Sequence, residues 1–346
     1  MVRIAMLACL LVATTSCRSK YQPQTVEVVD PGPPLRVLPT MRVLDPGMTP
    51  RVPLRYRVEP GQTEVLYLEL ARARAMQAGD QSGQSGIPPV QLEVKMGPAS
   101  PTPQGYIHHP IQITQVRISE MADQMSPAER EQMETMLAPL LQVQGWSEMD
   151  IQGRIRRGEF RGMEDVPPTL RTMLGNIRSA LLTVPFPDQP LGVRARWEVE
   201  RKVQFSGVWV EQVVTYHIEK MEGQQVELQI SARQTASPQS LGNARLEAYQ
   251  ASIMGSAVVR LEHFTPFSEA EATSQMRIKS QTPTGPQLVR VETRTIVRLY
   301  PEEAAKEFGA AEPPEQPEQP EQPEEPADPE DAKVITDPSK QKLKWQ

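Results

Sequence analysis

Hydrophobic and polar positions follow two different periods along this chain. From Pro53 the pattern "LRYRVEPGQTEVLYLELARARA" alternates on both sides of a Pro60-Gly61 turn, with Val65, Tyr67 and Glu69 on one side and Leu66, Leu68 and Leu70 on the other. Strict alternation is the mark of a half-buried strand, since successive side chains point to opposite faces. Further strands are expected at 89–96 and 111–118. Before them "GDQSGQSG" (79–86) has the composition of a solvated loop.

The middle of the chain changes to helical spacing. Ser126, Pro127 and Glu129 supply an N-cap, a proline at the first helical position and a capping box. Met133, Met136, Leu137, Leu140 and Leu141 then recur at three- and four-residue steps, predicting a helix over about 126–142 that Pro139 kinks or shortens. A second amphipathic helix is expected over about 169–182, with Leu170, Met173, Leu174, Ile177, Leu181 and Leu182 as its stripe and Pro185 as its stop.

Alternation then returns and persists. "RWEVERKVQF" and "VWVEQVVTYHIEK" flank Ser206-Gly207, a two-residue hairpin signal. Val226, Leu228 and Ile230 follow a Glu222-Gly223 turn. In the last run Val289, Val291, Val297 and Leu299 face inward, while Arg290, Glu292, Arg294 and Arg298 face outward. One apolar face and one charged face describe a sheet wetted on one side. Strands, two one-sided helices and a long run of strands predict an α+β body: a strongly curved, half-barrel-like antiparallel meander packed on the two helices.

Composition sets the limits of that body. Proline makes up about a tenth of the 346 residues, 35 in all, against a usual ~5%. The prolines concentrate in 22–60 and in the acidic "EPPEQPEQPEQPEEPADPED" near the C-terminus. Residues 17–50 therefore read as a Pro-rich tether, 51–300 as the body and 301–346 as a disordered Pro/Glu/Gln-rich tail. Within the tether the apolar "LRVLPTMRVLD" is also suited to docking as an edge strand. The net charge of −6 is uneven, because 302–346 hold 13 acidic residues against 5 lysines, and the rest is close to neutral. Arginine and glutamate are interspersed in the body, so no phosphate-tracking stripe is expected and nucleic acid is excluded as a partner.

The N-terminus carries an address. Arg3, the apolar run Ile4–Ala13 and the small residues Thr14, Thr15 and Ser16 precede Cys17. A run this short does not span a bilayer but suits a secretory signal, here 1–16. With its cysteine directly after the cleavage position, the segment resembles the lipobox of bacterial lipoproteins, although Thr14 stands where that family prefers leucine. The resemblance implies diacylglycerol and palmitate on Cys17 and attachment to the cell envelope. Arg18-Ser19 lack the aspartate that signals inner-membrane retention, so the outer membrane is expected, facing the periplasm or the cell surface. Cys9 would leave with the signal, so the mature chain has no internal disulfide. Around Pro187, Pro190, Leu191, Gly192 and Trp197, residues 180–300 resemble a family of bacterial envelope lipoproteins without an assigned activity. The layout is also similar in outline to the half-barrels of periplasmic lipoprotein carriers.

Candidate chemistry is sparse. No zinc-protease, dithiol, nucleophile-elbow, phosphate-loop or calcium-loop motif occurs. His108-His109 are expected as an exposed loop pair, His217 on a polar strand face and His263 packed at a corner. No metal, no cofactor beyond the acyl anchor and no enzymatic activity are expected. Methionine is the distinctive residue, with seven between 121 and 173. Flexible methionines adapt to irregular apolar ligands, so Met133, Met136, Leu137, Leu140, Met173, Leu174 and Ile177 are candidates to line an apolar ligand. Two functions follow from this reading. The first is a structural or interaction role in the envelope, with a protein partner reached through the acidic tail. The alternative is an apolar-ligand or lipid carrier of half-barrel type.

Overall fold

The computed structural model describes residues 39–302, except 80, 119–124, 163–165, 167–169, 171–182, 206–207, 242–243 and 283–284. Its strands, in chain order, begin with β1 (Thr40–Asp45), β2 (Glu64–Ala78), β3 (Gln81–Met96), β4 (Ser100–Pro101) and β5 (Ile107–Ile118). After the helix α1 (Pro127–Leu137) come β6 (Gln144–Met149), β7 (Ile155–Arg161), β8 (Arg196–Phe205), β9 (Val208–Glu222) and β10 (Gln225–Ala236). The last are β11 (Gln239–Leu241), β12 (Ala244–Arg260), β13 (Phe267–Thr282) and β14 (Gly285–Pro301).

All of them join one 14-stranded sheet in the order β1-β8-β9-β10-β12-β13-β14-β2-β3-β5-β6-β7, with β4 on β5 and β11 on β12. Every pairing is antiparallel. The sheet is open, with β1 and β7 at its edges. Hairpins close where the turn chemistry demands: Phe205 pairs with Val208, and Glu222 pairs with Gln225 across Gly223 at φ 58°.

Alternation places the core. Leu66, Leu68 and Leu70 of β2, Leu92 and Val94 of β3, and Ile113 of β5 are buried. They share one cluster with Trp197 of β8, Val214 and Ile218 of β9, Leu228 of β10 and Val259 of β12. Strands this far apart in the sheet meet in one core only if the sheet curls around its own inner face. Each fully buried leucine on that face contributes about 1.5–3 kcal/mol. The curl is tied by an aromatic chain, Tyr56 to Phe186 (5.8 Å), Phe186 to Trp197 (5.8 Å) and Trp197 to Tyr216 (5.1 Å). Trp197 Nε1 donates to the Pro185 carbonyl at 2.9 Å, which removes the cost of burying the indole donor.

Several expectations change. Among the described residues the fold is mostly antiparallel sheet with one short α-helix, not a sheet on two amphipathic helices. The helix begins at the expected Ser126 capping box but ends at Leu137, passing into a 3-10 turn over 138–142 that contains Pro139. Its stripe is narrower than predicted: Leu137 and Leu140 are buried and Met133 partly buried, while Met136 (36%) and Leu141 (43%) are exposed. Leu170 is helical and buried. Met173, Leu174, Ile177, Leu181 and Leu182 lie outside the described residues. Residues 81–86, read as loop, are strand, held by backbone pairing of Gln81–Gly86 to Ala73–Ala78 with no core beneath them. Part of the 17–50 stretch also joins the sheet, since β1 docks on β8 as an edge strand.

The segment after β1 is laced to the one before β8. Met48 N donates to the Val193 carbonyl (2.8 Å), Gly192 N to Pro46 (3.0 Å), and Val52 and Leu191 exchange two bonds. Gly192 is at the centre of this lacing, where a methyl group would collide with the Met48 carbonyl. Gly192→Ala is expected to destabilise the fold by about 1–3 kcal/mol. Gly83→Ala, where a Cβ meets open space, is expected to change stability by less than about 0.5 kcal/mol. Thermal unfolding of the two variants measures the difference.

Candidate functional site

The inner face of the sheet is not uniformly apolar. Following the register strand by strand, Arg74 of β2 pairs with Thr293 of β14, Thr293 with Ser274 of β13, and Ser274 with Ala251 of β12. Ala251 pairs with Gln234 of β10, Gln234 with Gln212 of β9, and Gln212 with Arg201 of β8. Directly opposed residues share a face, so these seven form one row across the sheet, broken only by Ala251. At about 4.8 Å per strand the row runs roughly 29 Å along the curve.

Apolar surface borders the row on both sides. On one side Arg72 and Thr295 lead through Ala272 to Ile253, Ala232, Val214 and Val199, which belong to or pack on the main core. On the other side a second cluster comprises Val208, Val210 and Leu246, with Val203, Ala236, Leu241, Tyr249, Met276 and Ile278 packed on it. A polar line therefore separates two greasy areas. Gln212 (4% exposed) and Gln234 (6%) are buried and satisfied, Gln212 Oε1 accepting from Arg201 Nε at 2.6 Å and Gln234 Oε1 from the Tyr249 hydroxyl at 2.9 Å.

Arg72 and Arg74 differ from the rest of the row. They stand two residues apart on the same face, about 6.7 Å along the strand. The Nε of each is buried with no hydrogen-bond partner among the described residues. Burial, and then the Arg74 cation, lower the proton affinity of Arg72 from the ordinary arginine range. In the rows of Arg72, Arg74 and Met76 no position is Asp or Glu. Two arginines on the outer face of β14 are paired: Arg294 with Glu271 (2.7 Å), and Arg298 with Glu269 (3.0 Å) and Glu69 (3.5 Å). Arg294 and Arg298 outside thus have carboxylate partners on neighbouring strands, whereas the inner rows of Arg72 and Arg74 hold no acidic residue. A backbone bulge adjoins the pair, where Pro88 and Pro89 of β3 lie opposite Ala71 and the register shifts between Leu70 and Arg72. Bulges re-aim neighbouring side chains and concentrate near functional sites. Beyond Arg74, Met76 is 40% exposed, so the face is open at that end.

The residues singled out from sequence lie elsewhere. Met133, Leu137 and Leu140 pack into the main core, Met136 is exposed, and Cys17 lies outside the described residues. Two signals in the sequence pointed to Arg72 and Arg74: the alternation that puts Leu66, Leu68 and Leu70 inward continues through both, and Pro88-Pro89 marks the bulge beside them.

The histidine pair is in strand β5, not a loop, and its members face opposite ways. His108 rests on Trp146 (5.3 Å) and lies 3.8 Å from Glu148, while His109 is buried against Phe264 (4.6 Å). His217 stays off the buried face, as alternation implied, and His263 sits 3.3 Å from Glu64 at the strand corner. Among the described residues no group of three or more His, Cys, Asp or Glu is placed to hold a metal ion. Asp150, which the sequence did not mark, accepts from Arg154 (2.7 Å), Arg156 (2.6 Å) and two backbone amides, fixing the β6–β7 turn.

No protein-family model and no curated protein matches the sequence. Among solved structures, a loop-deletion form of OmpT, an outer membrane protein of Vibrio cholerae, aligns over 69% of this chain and 99% of that one. The identity is 8% and the TM-score 0.15, too low to inform fold or function. No described helix is long and apolar enough to cross a membrane.

Burial, and secondarily the neighbouring His108, push the His109 pKa from 6.5 down to about 4. Between these values the unfolded chain binds a proton that the folded chain refuses, so stability is full above the window and falls as pH drops through it. Denaturant unfolding is expected to show a loss of about 2 kcal/mol from this group between pH 7 and 5. In His109→Phe that component of the pH dependence should disappear.

Proposed function

We propose that this chain is a lipid-anchored, non-enzymatic protein of the cell envelope whose curled sheet holds an amphiphilic ligand along its inner face. The supporting observation is the polar row lying between two apolar areas on one continuous surface. A solid scaffold has no use for such a row, because burying polar groups costs free energy that apolar filling avoids. An amphiphile uses both kinds of surface. This reverses the order suggested by sequence, where a structural or interaction role came first and ligand binding second. The apolar lining expected from Met133, Met136 and their neighbours is not the proposed site.

The anchor rests on the lipobox-like end of the signal, with Cys17 as the acylated residue. Two or more acyl chains hold a protein firmly at a membrane where one chain does not. The outer membrane is the proposed location, and the acidic tail a surface from which a protein partner could be reached.

Organic extraction of the purified full chain, followed by mass spectrometry, is expected to release non-covalent lipid at near-stoichiometric amounts. A chain that carries none, and gains no thermal stability from added lipid, is a scaffold instead. Labelled palmitate should enter the wild-type protein and not Cys17→Ala, which should move to the soluble fraction. Equal membrane association of both would remove the anchor.

A further inference from the structure

We propose that Arg72 and Arg74 form the headgroup site for an anionic phospholipid, whose acyl chain lies across the inner face on the partly buried Tyr249, Met276 and Ile278. The proposal deepens the amphiphile reading and rests on it. Four observations converge on these two residues.

The first is the missing counter-charge. A guanidinium removed from water retains a penalty of several kcal/mol unless paired, and two adjacent cations add mutual repulsion. Outside the sheet the same strands supply glutamates to Arg294 and Arg298, yet the inner rows around Arg72 and Arg74 offer none. The second is the ligand-ready donors: each Nε is buried without a partner among the described residues, and Thr293 and Thr295 stand directly across from the two arginines. Guanidinium forks match the geometry of phosphate oxygens. A phosphate monoester, carrying about −1.5 to −2 charge and three acceptor oxygens, suits two cations better than a carboxylate does.

The third is continuity with apolar surface. Met276 is paired with Tyr249 and Val291, and Ile278 with Leu246 and Val289. This surface starts two strands from β2 and extends away from it, so a chain leaving the arginines meets it within about 10–15 Å. The fourth is access, since Met76 on the same face is 40% exposed and Ser85, paired with Arg74, is also exposed.

The test uses the full chain in nonionic detergent, titrated calorimetrically with dioctanoyl phosphatidic acid, dioctanoyl phosphatidylcholine, octanoate and inorganic phosphate. Wild-type protein should bind phosphatidic acid about tenfold or more tightly than phosphatidylcholine, and the preference should shrink with added salt. Arg72→Gln and Arg74→Gln should each lose about tenfold for phosphatidic acid and leave phosphatidylcholine unchanged. Equal affinity for the two lipids, or an unchanged preference in both variants, overturns the headgroup site while leaving the ligand-binding face in place. Inorganic phosphate binding as tightly as phosphatidic acid makes this an anion site without a lipid, and also overturns it. If no lipid of either charge binds, the broader amphiphile reading fails first. Arg74→Met provides the structural control. Without ligand it should unfold at the same temperature as wild type or higher, because an unpaired buried cation is gone. A lowered unfolding temperature together with an intact lipid preference assigns the arginines to the fold alone.

Discussion

Alternation locked by register is the constraint on which this structure depends. In a strand each side chain has only two directions available, and a slip of one residue sends a whole strand's inner set to the outside. Here that rule propagates from β8 to β3, reset only by single bulges between β9 and β10, β12 and β13, and β2 and β3, so between bulges a residue's parity decides its environment. Leu68 lies in the core and Glu69 lies against Arg298 outside for no other reason. The aromatic chain from Tyr56 to Tyr216 then holds the sheet curled, and the inner face becomes a concave surface rather than one side of a flat plate.

Long strands make the concavity non-uniform. β12 and β14 each run 17 residues, far beyond the common 5–6. Near one end their inner residues meet the opposite wall and are buried, as with Val259 and Leu299. Towards the other end the loss of that wall leaves Met76 exposed and Gln81–Gly86 supported by pairing alone. The polar row falls between these regimes. There a glutamine can still be satisfied by a neighbour, whereas an arginine on the rim of the core keeps one side dry and the other near solvent.

Most of the sheet was legible in the sequence because half-buried antiparallel strands write their burial directly into alternation. Val226, Leu228 and Val291 are examples. What misled was composition used without pairing. Gly83 and Ser85 resemble loop residues, yet a strand needs no core when its backbone groups are paired along a hairpin. His108-His109 beside Pro110 suggested a loop for the same reason, although Pro110 sits within β5 opposite Trp146. Leu141 kept helical spacing but not burial, because the α-helix stops at Leu137 and the change of pitch rotates later residues off the stripe, while Met136, inside α1, sits at the exposed edge of a narrower stripe. The site escaped notice for a different cause. Register across seven strands cannot be read from one strand, so Arg74, Gln234 and Arg201 look unrelated until pairing sets them in a row.

Arginine is used differently on the two faces of the sheet. On the outer face Arg298 lies between Glu269 and Glu69, and exposed pairs of this sort contribute at most about 1 kcal/mol each, so their main effect is to fix register and keep the surface wet. On the inner face a methionine or leucine at position 72 or 74 would join the apolar areas on either side and strengthen the core. On the proposed reading, keeping two cations there instead lowers the stability of the empty protein, a cost that selection tolerates where the empty state is not the working one. An anion bound between them would lift the repulsion and supply the missing acceptors at once. On the proposed reading, stability and occupancy are coupled through one pair of side chains, and the same coupling would make the sheet selective: an uncharged amphiphile gains the apolar contacts but leaves both guanidinium groups unanswered.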